Sequence, residues 1–164
     1  MSLIGRIGIA AQMLGLAQGA FEKAVPYTYQ RQQFGQPVGT FQGMAFQIAQ
    51  AAIEIESARL MTYNAARRKE EGKTFTKEAA MAKYWSSVVA QRVSGQAIEW
   101  AGGVGFTRET GIEKYWRDSK IVRVVHFWFI QVPDIWCSEQ GAIYEGTSNI
   151  QLQTISKFIQ KEHS

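Results

Sequence analysis

Three stretches of this chain, 3–33, 41–71 and 76–100, repeat their apolar residues every three or four positions and hold almost nothing that would stop a helix. This feature constrains the fold more than any other. Ile7, Leu14, Ala17, Phe21 and Ala24 mark one stripe. Phe41, Met44, Ile48, Ala51, Ile55, Ala58 and Thr62 mark a second, and Ala79, Ala82, Val89, Val93, Ala97 and Trp100 a third. Small residues crowd the first stripe, so a neighbouring helix can come close. Gly35 with Pro37, Gly72, and the run Gly102-Gly103-Val104-Gly105 separate the stretches. Pro26 lies inside the first and is expected to bend it or remove one hydrogen bond. Thr40 and Thr76 stand where N-caps are expected, and Glu78 sits in a first turn, where the helix dipole favours it. Two shorter helices are expected over 112–121 and 147–161, the latter with Ile150, Ile155, Phe158 and Ile159 on its apolar side. No segment alternates with period two, and no internal repeat is present. Long helices joined by short loops predict an all-α fold, an antiparallel bundle of about four main helices. Leu14, Phe21, Ile48, Ile55 and Val89 are expected inside.

The chain has 164 residues, room for one domain with a sizeable core. Hydrophobic residues make up 46% and charged residues 20%, which argues against disorder. The net charge of +4 is spread among both signs, and the cluster Arg67-Arg68-Lys69-Glu70-Glu71 partly cancels itself. No arginine-rich stripe is interleaved with aromatics, so no nucleic-acid partner is expected. Cys137 is the single cysteine, which excludes an internal disulfide and permits a reducing compartment. His126 and His163 lack companions at ligand spacing, so no metal site is expected. No apolar run is long enough to span a bilayer, and no membrane role is expected. The first residues enter helical periodicity directly, with no targeting segment, as a fragment would.

Three constellations could carry chemistry. In Arg31-Gln32-Gln33-Phe34-Gly35-Gln36-Pro37, followed by Phe41-Gln42, the arginine fork suits phosphate and the aromatic suits a planar ring. A helix that simply ends at Arg and Gly explains the same residues. In Glu99-Trp100-Ala101-Gly102-Gly103-Val104-Gly105-Phe106, glycines let a backbone approach a ligand. The run follows a helix, so it is not a Rossmann fingerprint, and a plain helix terminator also fits. In Tyr144-Glu145-Gly146-Thr147-Ser148-Asn149, a carboxylate precedes a helix whose free N–H groups favour an anion or a polarised carbonyl. An acid that merely complements the dipole is the bland alternative.

Taken together, RQQFGQPVGTFQ, EWAGGVGF, EKYWRDSKI and IYEGTSNIQ resemble, in order, the C-terminal helical domain of the acyl-CoA dehydrogenases. The chain is most similar to the short- and branched-chain members. The match begins at Gly5-Arg6, runs through Ile121, and resumes from Gly141 to Lys157. The resemblance implies an enzyme that also has an N-terminal helical domain and a middle β-domain, both absent here. It implies oxidation of an acyl-CoA thioester to its trans-2-enoyl form, with FAD as cofactor. Glu145 is the implied base for the α-proton, while the β-hydrogen leaves as hydride to FAD. Some relatives place the base just before the arginine matched by Arg6. Gly5 stands there, which favours Glu145. Arg31 is implied at the FAD pyrophosphate across a subunit interface, with Phe34 and Gln42 near the adenine end. Glu99, Trp100, Ala101, Gly102 and Gly103 are implied along the dinucleotide, and Thr147, Ser148 and Asn149 at the flavin nucleotide. Arg6 is implied near the acyl-CoA, although Leu3-Ile4 replaces a polar pair, and Gly146 leaves room for substrate. A homodimer or homotetramer, an electron-transfer flavoprotein as partner and the mitochondrial matrix are also implied. An acyl-CoA oxidase, or a catalytically silent oligomerisation module, would carry the same helical motifs.

Residues 122–140, VRVVHFWFIQVPDIWCSEQ, interrupt that pattern as an atypical insert in a single domain spanning 1–164. They have no cap, no clean period and a central Pro133. Two readings stay open: a genuine loop that alters the substrate mouth, or a translated intron. Valine codons begin with GT and one glutamine codon is CAG, which match usual intron ends. The insert stands directly before the Glu145 segment, so the chain that carries it is expected to be inactive.

Overall fold

The computed structural model describes residues 3–120 and 148–163. Five helices make up almost all of the described chain: α1 (Leu3–Gln30), α2 (Gln42–Glu70), α3 (Thr76–Ala101), α4 (Ile112–Lys120) and α5 (Ser148–His163). Between α1 and α2 a small antiparallel hairpin pairs β1 (Gln32–Gln33) with β2 (Gln36–Pro37), and a 3-10 turn over Val38–Thr40 follows.

Cross-helix pairs fix the directions. Arg59 on α2 donates to Gln18 Oε1 on α1 at 2.9 Å. Trp85 Nε1 on α3 donates to Ser57 Oγ at 2.7 Å, and Trp100 Nε1 to Gln47 Oε1 at 3.0 Å. Consecutive long helices are therefore antiparallel, and α1 runs parallel to α3. Ala10 accordingly groups with Ala82, and Phe21 meets Trp100 edge-to-face at 6.2 Å. The short α4 doubles back along α3, where Ser94 Oγ donates to Ser119 Oγ at 3.0 Å. Helix α5 runs against α3 and ends where Lys77 pairs with Glu162 at 2.7 Å.

The seam between α1 and α3 is the most extensive in the bundle and is lined with methyl groups. Ala10, Ala17, Ala20 and Ala24 on α1 and Ala79, Ala82, Ala90 and Ala97 on α3 are fully buried. Side chains this short let two backbones approach closely and leave large neighbours to close the edges. The buried face of α1 is therefore shifted from the expected one. Leu14 and Phe21 are half-buried and flank the core, while Ile48, Ile55 and Val89 lie inside it as expected.

Several local expectations are corrected. Helix α1 stops at Gln30, because Gln32 and Gln33 turn into the hairpin. Neither threonine caps. The Thr40 hydroxyl donates to Pro37 O at 2.6 Å and closes the 3-10 turn, so Phe41 occupies the N-cap of α2 without a side-chain cap. Thr76 is already inside α3, and Phe75 is its N-cap. Ile150 and Ile159 are exposed on α5, while Ile155 and Phe158 are half-buried. Pro26 is accommodated within α1, on its exposed side.

Candidate functional site

The first constellation sits on a rigid turn. Arg31 N donates to Tyr27 O and Val38 N donates to Arg31 O, each at 2.9 Å, so the residue is tied to the helix behind it and the turn ahead. Its side chain is exposed. Phe34 and Gly35 both have positive φ, 52° and 81°, the signature of a two-residue type I′ hairpin. An aromatic residue in the left-handed region is strained, by about 1–3 kcal/mol. Even so, the Phe34 ring is 95% exposed, and it stands edge-to-face with Phe41 at 6.4 Å between centroids. The hairpin thus holds out an exposed aromatic ring three residues after the exposed Arg31. The turn behind it packs closely on the end of α1: a Cβ on Gly39 would come within 2.7 Å of Thr28 Oγ1. Gln42 is the first residue of α2 and is exposed.

The second constellation closes α3. Trp100 and Ala101 are buried, so their side chains serve the core and only their backbone faces outward chemistry. Glu99 is exposed. Gly102 has φ 62° and ψ −140°, a conformation open essentially to glycine alone. No atom lies within 4 Å of where a Cβ on Gly102 or Gly103 would stand, which leaves that backbone open to a ligand. Gly105 is different: its Cβ would meet Ile98 O at 2.5 Å, so the loop lies flat on the last turn of α3. Thr107 and Thr110 both donate to Val104 O and brace it.

The structure brings these two constellations to one end of the bundle. Gln47, one turn into α2, accepts from Trp100, so the end of α3 lies beside the start of α2, where the hairpin is also attached. Arg6 lies at the far end of α1, buried in its first turns. At the helical rise per residue it stands about 37 Å from Arg31. Ser148 and Asn149 open α5 and are exposed. Glu145, Gly146, Thr147 and residues 122–140 lie outside the described residues.

Sequence reading missed two buried charges. Glu54 on α2 is 4% exposed and pairs with Arg92 Nη1 at 2.6 Å, with Gln50 donating to the same carboxylate at 2.9 Å. Lys83 on α3 is 2% exposed. The available signal was a charge set among apolar positions, Glu54 between Ala51 and Ala58. Among the described residues no cluster of His, Cys, Asp or Glu could hold a metal ion, and no helix is long and apolar enough to cross a membrane.

Residues 3–126 match the family model described as acyl-CoA dehydrogenase, C-terminal domain. The chain is 51% identical over 159 residues to the mitochondrial short/branched chain specific acyl-CoA dehydrogenase of Rattus norvegicus, covering 97% of this chain and 32% of that protein. It is 53% identical over 157 residues to the probable short/branched chain specific enzyme of Dictyostelium discoideum, covering 96% and 33%. Butyryl-CoA dehydrogenase from Megasphaera elsdenii superposes with a TM-score of 0.80 at 39% identity, over 94% of this chain and 36% of that one. The chain thus spans about a third of the length of the relatives it matches. By these matches the chain belongs to the acyl-CoA dehydrogenase family, through its C-terminal helical domain.

Proposed function

We propose that the chain is the C-terminal part of a flavin-dependent acyl-CoA dehydrogenase, acting on a short or branched acyl-CoA in the mitochondrial matrix. The observation that carries this reading is the pairing, at one end of the bundle, of an exposed arginine and aromatic on a braced hairpin with an open glycine backbone. That donor set fits FAD. The Arg31 fork suits a pyrophosphate, Phe34 and Gln42 suit the adenine end, and the backbone over 99–103 can lie against the dinucleotide without side-chain obstruction. FAD, when bound, supplies the acceptor for the substrate's β-hydride.

The remaining chemistry falls to the chain's own groups. Glu145 takes the α-proton, which a carboxylate can do only if charge growing on the thioester oxygen meets donors. Its own N–H is one such donor. Gly146 leaves space for the thioester, and Thr147, Ser148 and Asn149 address the flavin nucleotide, the last two as the opening residues of α5. Arg6 lies near the acyl-CoA. The separation of Arg6 from Arg31 along α1 supports a site shared between copies, each giving one end of its bundle to a different flavin. A homodimer or homotetramer follows, and an electron-transfer flavoprotein takes the electrons onward.

By this reading residues 1–164 taken alone bind FAD weakly, since they span about a third of the length of the relatives they match, and they are inactive with 122–140 in place. A flavin absorbance spectrum of the purified chain tests the first point: a stoichiometric yellow protein would contradict it. In a complete enzyme without the insert, Glu145→Gln should abolish α-proton exchange while acyl-CoA still binds, and near-normal turnover would remove Glu145 from the role. Sequencing gene and transcript across 122–140 separates intron from loop.

A further inference from the structure

Different parts of the bundle hold the two halves of the proposed flavin site. The hairpin with Arg31 and Phe34 is tied to α1, through Arg31 N on Tyr27 O, and leads by the 3-10 turn into α2. The open glycine backbone belongs to the end of α3. The bonds that shape the loop behind it are local: Gly105 N donates to Gly102 O, and the Thr107 and Thr110 hydroxyls donate to Val104 O. None of these reaches α1 or α2.

Trp100 makes that crossing. Its side chain is buried, stands edge-to-face with Phe21 of α1 at 6.2 Å, and donates from Nε1 to Gln47 Oε1 of α2 at 3.0 Å. Trp100 is two residues before Gly102, and Gln47 follows the hairpin by little more than a turn of α2. The contact with Phe21 gives the ring a pivot, and the bond to Gln47 gives the second point that stops it turning. The bond also dictates the residue type. An indole N–H only donates, so position 47 must offer an acceptor, which lysine or leucine lacks. Gln47 itself is exposed, so burial does not call for it. We infer that Gln47 is a positioning residue for the flavin site: its hold on Trp100 sets the open glycine backbone at the distance from the hairpin that one dinucleotide bridges. The inference rests on the flavin reading and deepens it.

The seam between α2 and α3 contains its own control. Trp85 Nε1 donates to Ser57 Oγ at 2.7 Å, the same kind of bond between the same two helices. It lies about 22 Å from Trp100 at the helical rise per residue. The test is titration of FAD into the apoenzyme of a complete enzyme without the insert, with thermal melts of each variant alongside. Gln47→Leu removes the acceptor and Trp100→Phe the donor. Each should raise the FAD dissociation constant about three- to ten-fold, the range of one hydrogen bond. The double variant should bind no more weakly than Trp100→Phe alone, because both act through one bond. Trp85→Phe should lower the melting temperature comparably and leave FAD affinity within about two-fold. Gln47→Leu sits at an exposed position, so it carries the test even where Trp100→Phe does not fold. Wild-type affinity in Gln47→Leu overturns the inference. So does a Trp85→Phe variant that loses as much FAD, since general loosening of the bundle would then be the cause, and so do effects that multiply in the double variant. Each of these leaves the flavin reading standing, whereas a wild-type apoenzyme that takes up no FAD brings down both.

Discussion

Replacing Gly105 by alanine should loosen the end of α3 for a purely steric reason. The backbone at Gly105 is helical, with φ −64° and ψ −26°, so alanine meets no conformational objection. The objection is space. The new Cβ would stand 2.5 Å from Ile98 O and 3.0 Å from both Ile98 Cα and the Ala101 methyl. Two of those three atoms are backbone of α3 and cannot swing aside, so the loop must retreat by the better part of an ångström. Overpacking of this kind costs about 1–3 kcal/mol. For a domain of this size that lowers the melting temperature by about 2–10 °C. Gly103→Ala is the control, because its Cβ would stand in open space, and it should change stability by less than about 0.5 kcal/mol. Thermal melts of both variants, followed by far-ultraviolet circular dichroism, give the comparison. Equal melting points would show that the loop does not lie against Ile98, and the rigid backbone argued for the dinucleotide would lose its support.

Phe34→Gly should relieve the left-handed strain at φ 52° and leave stability unchanged or higher by up to about 1 kcal/mol, while a complete enzyme retains less FAD. Loss of stability on chemical unfolding would contradict the strain argument. Arg92→Leu should strand the buried Glu54 carboxylate and cost about 1–3 kcal/mol in urea unfolding, a range reduced because Arg92 is half-exposed and Gln50 still donates. Adding Glu54→Leu should recover most of that loss. Glu71 is held below the ordinary carboxylate range, first by its hydrogen bond and charge contact with the Lys73 ammonium. A lowered folded pKa means that its small stabilisation is present above the ordinary carboxylate range and fades as pH falls through the lowered value. Carbon-detected titration should show Glu71 protonating below the ordinary carboxylate range, and Lys73→Met should move it back toward that range, with Arg67 and Arg68 still lowering it.

The long helices were legible because an apolar residue every three or four positions survives any detail of packing. What the spacing could not encode was which apolar residues would be central. Leu14 and Phe21 look like core and sit at its edge, since the alanines beside them allow α3 closer than leucine would. The Thr40 and Thr76 caps misled for a related reason. A hydroxyl can satisfy several nearby carbonyls, and at Thr40 the winning partner was Pro37 O. The hairpin over 32–37 is too short to alternate, although Phe34-Gly35 carried its turn chemistry. Of the candidate site, Arg31 and Phe34 are exposed, as residues at the end of a helix and the tip of a hairpin commonly are. The burial of Trp100 was legible as the last member of the third apolar stripe, although its place beside the glycines also suggested a ligand platform. Cross-helix partners such as Glu54 and Arg92, or Ser94 and Ser119, leave no mark in linear spacing.

The seam between α1 and α3 also sets an order of events. Helix α1 finds its main partner not in the neighbouring α2 but in α3, where Ala10 meets Ala82 and Phe21 meets Trp100. A hairpin of α1 and α2 alone leaves the methyl stripe of α1 uncovered and gains little from collapse. On a ribosome the first two helices must therefore wait, half-dressed, until the third has been made. Closing a contact across so long a stretch of chain slows the search and keeps apolar surface open to other molecules meanwhile. Folding of this bundle should accordingly be all-or-none in α3. Truncation within α3 would leave α1 and α2 as prey for chaperones and proteases, not as a smaller stable domain.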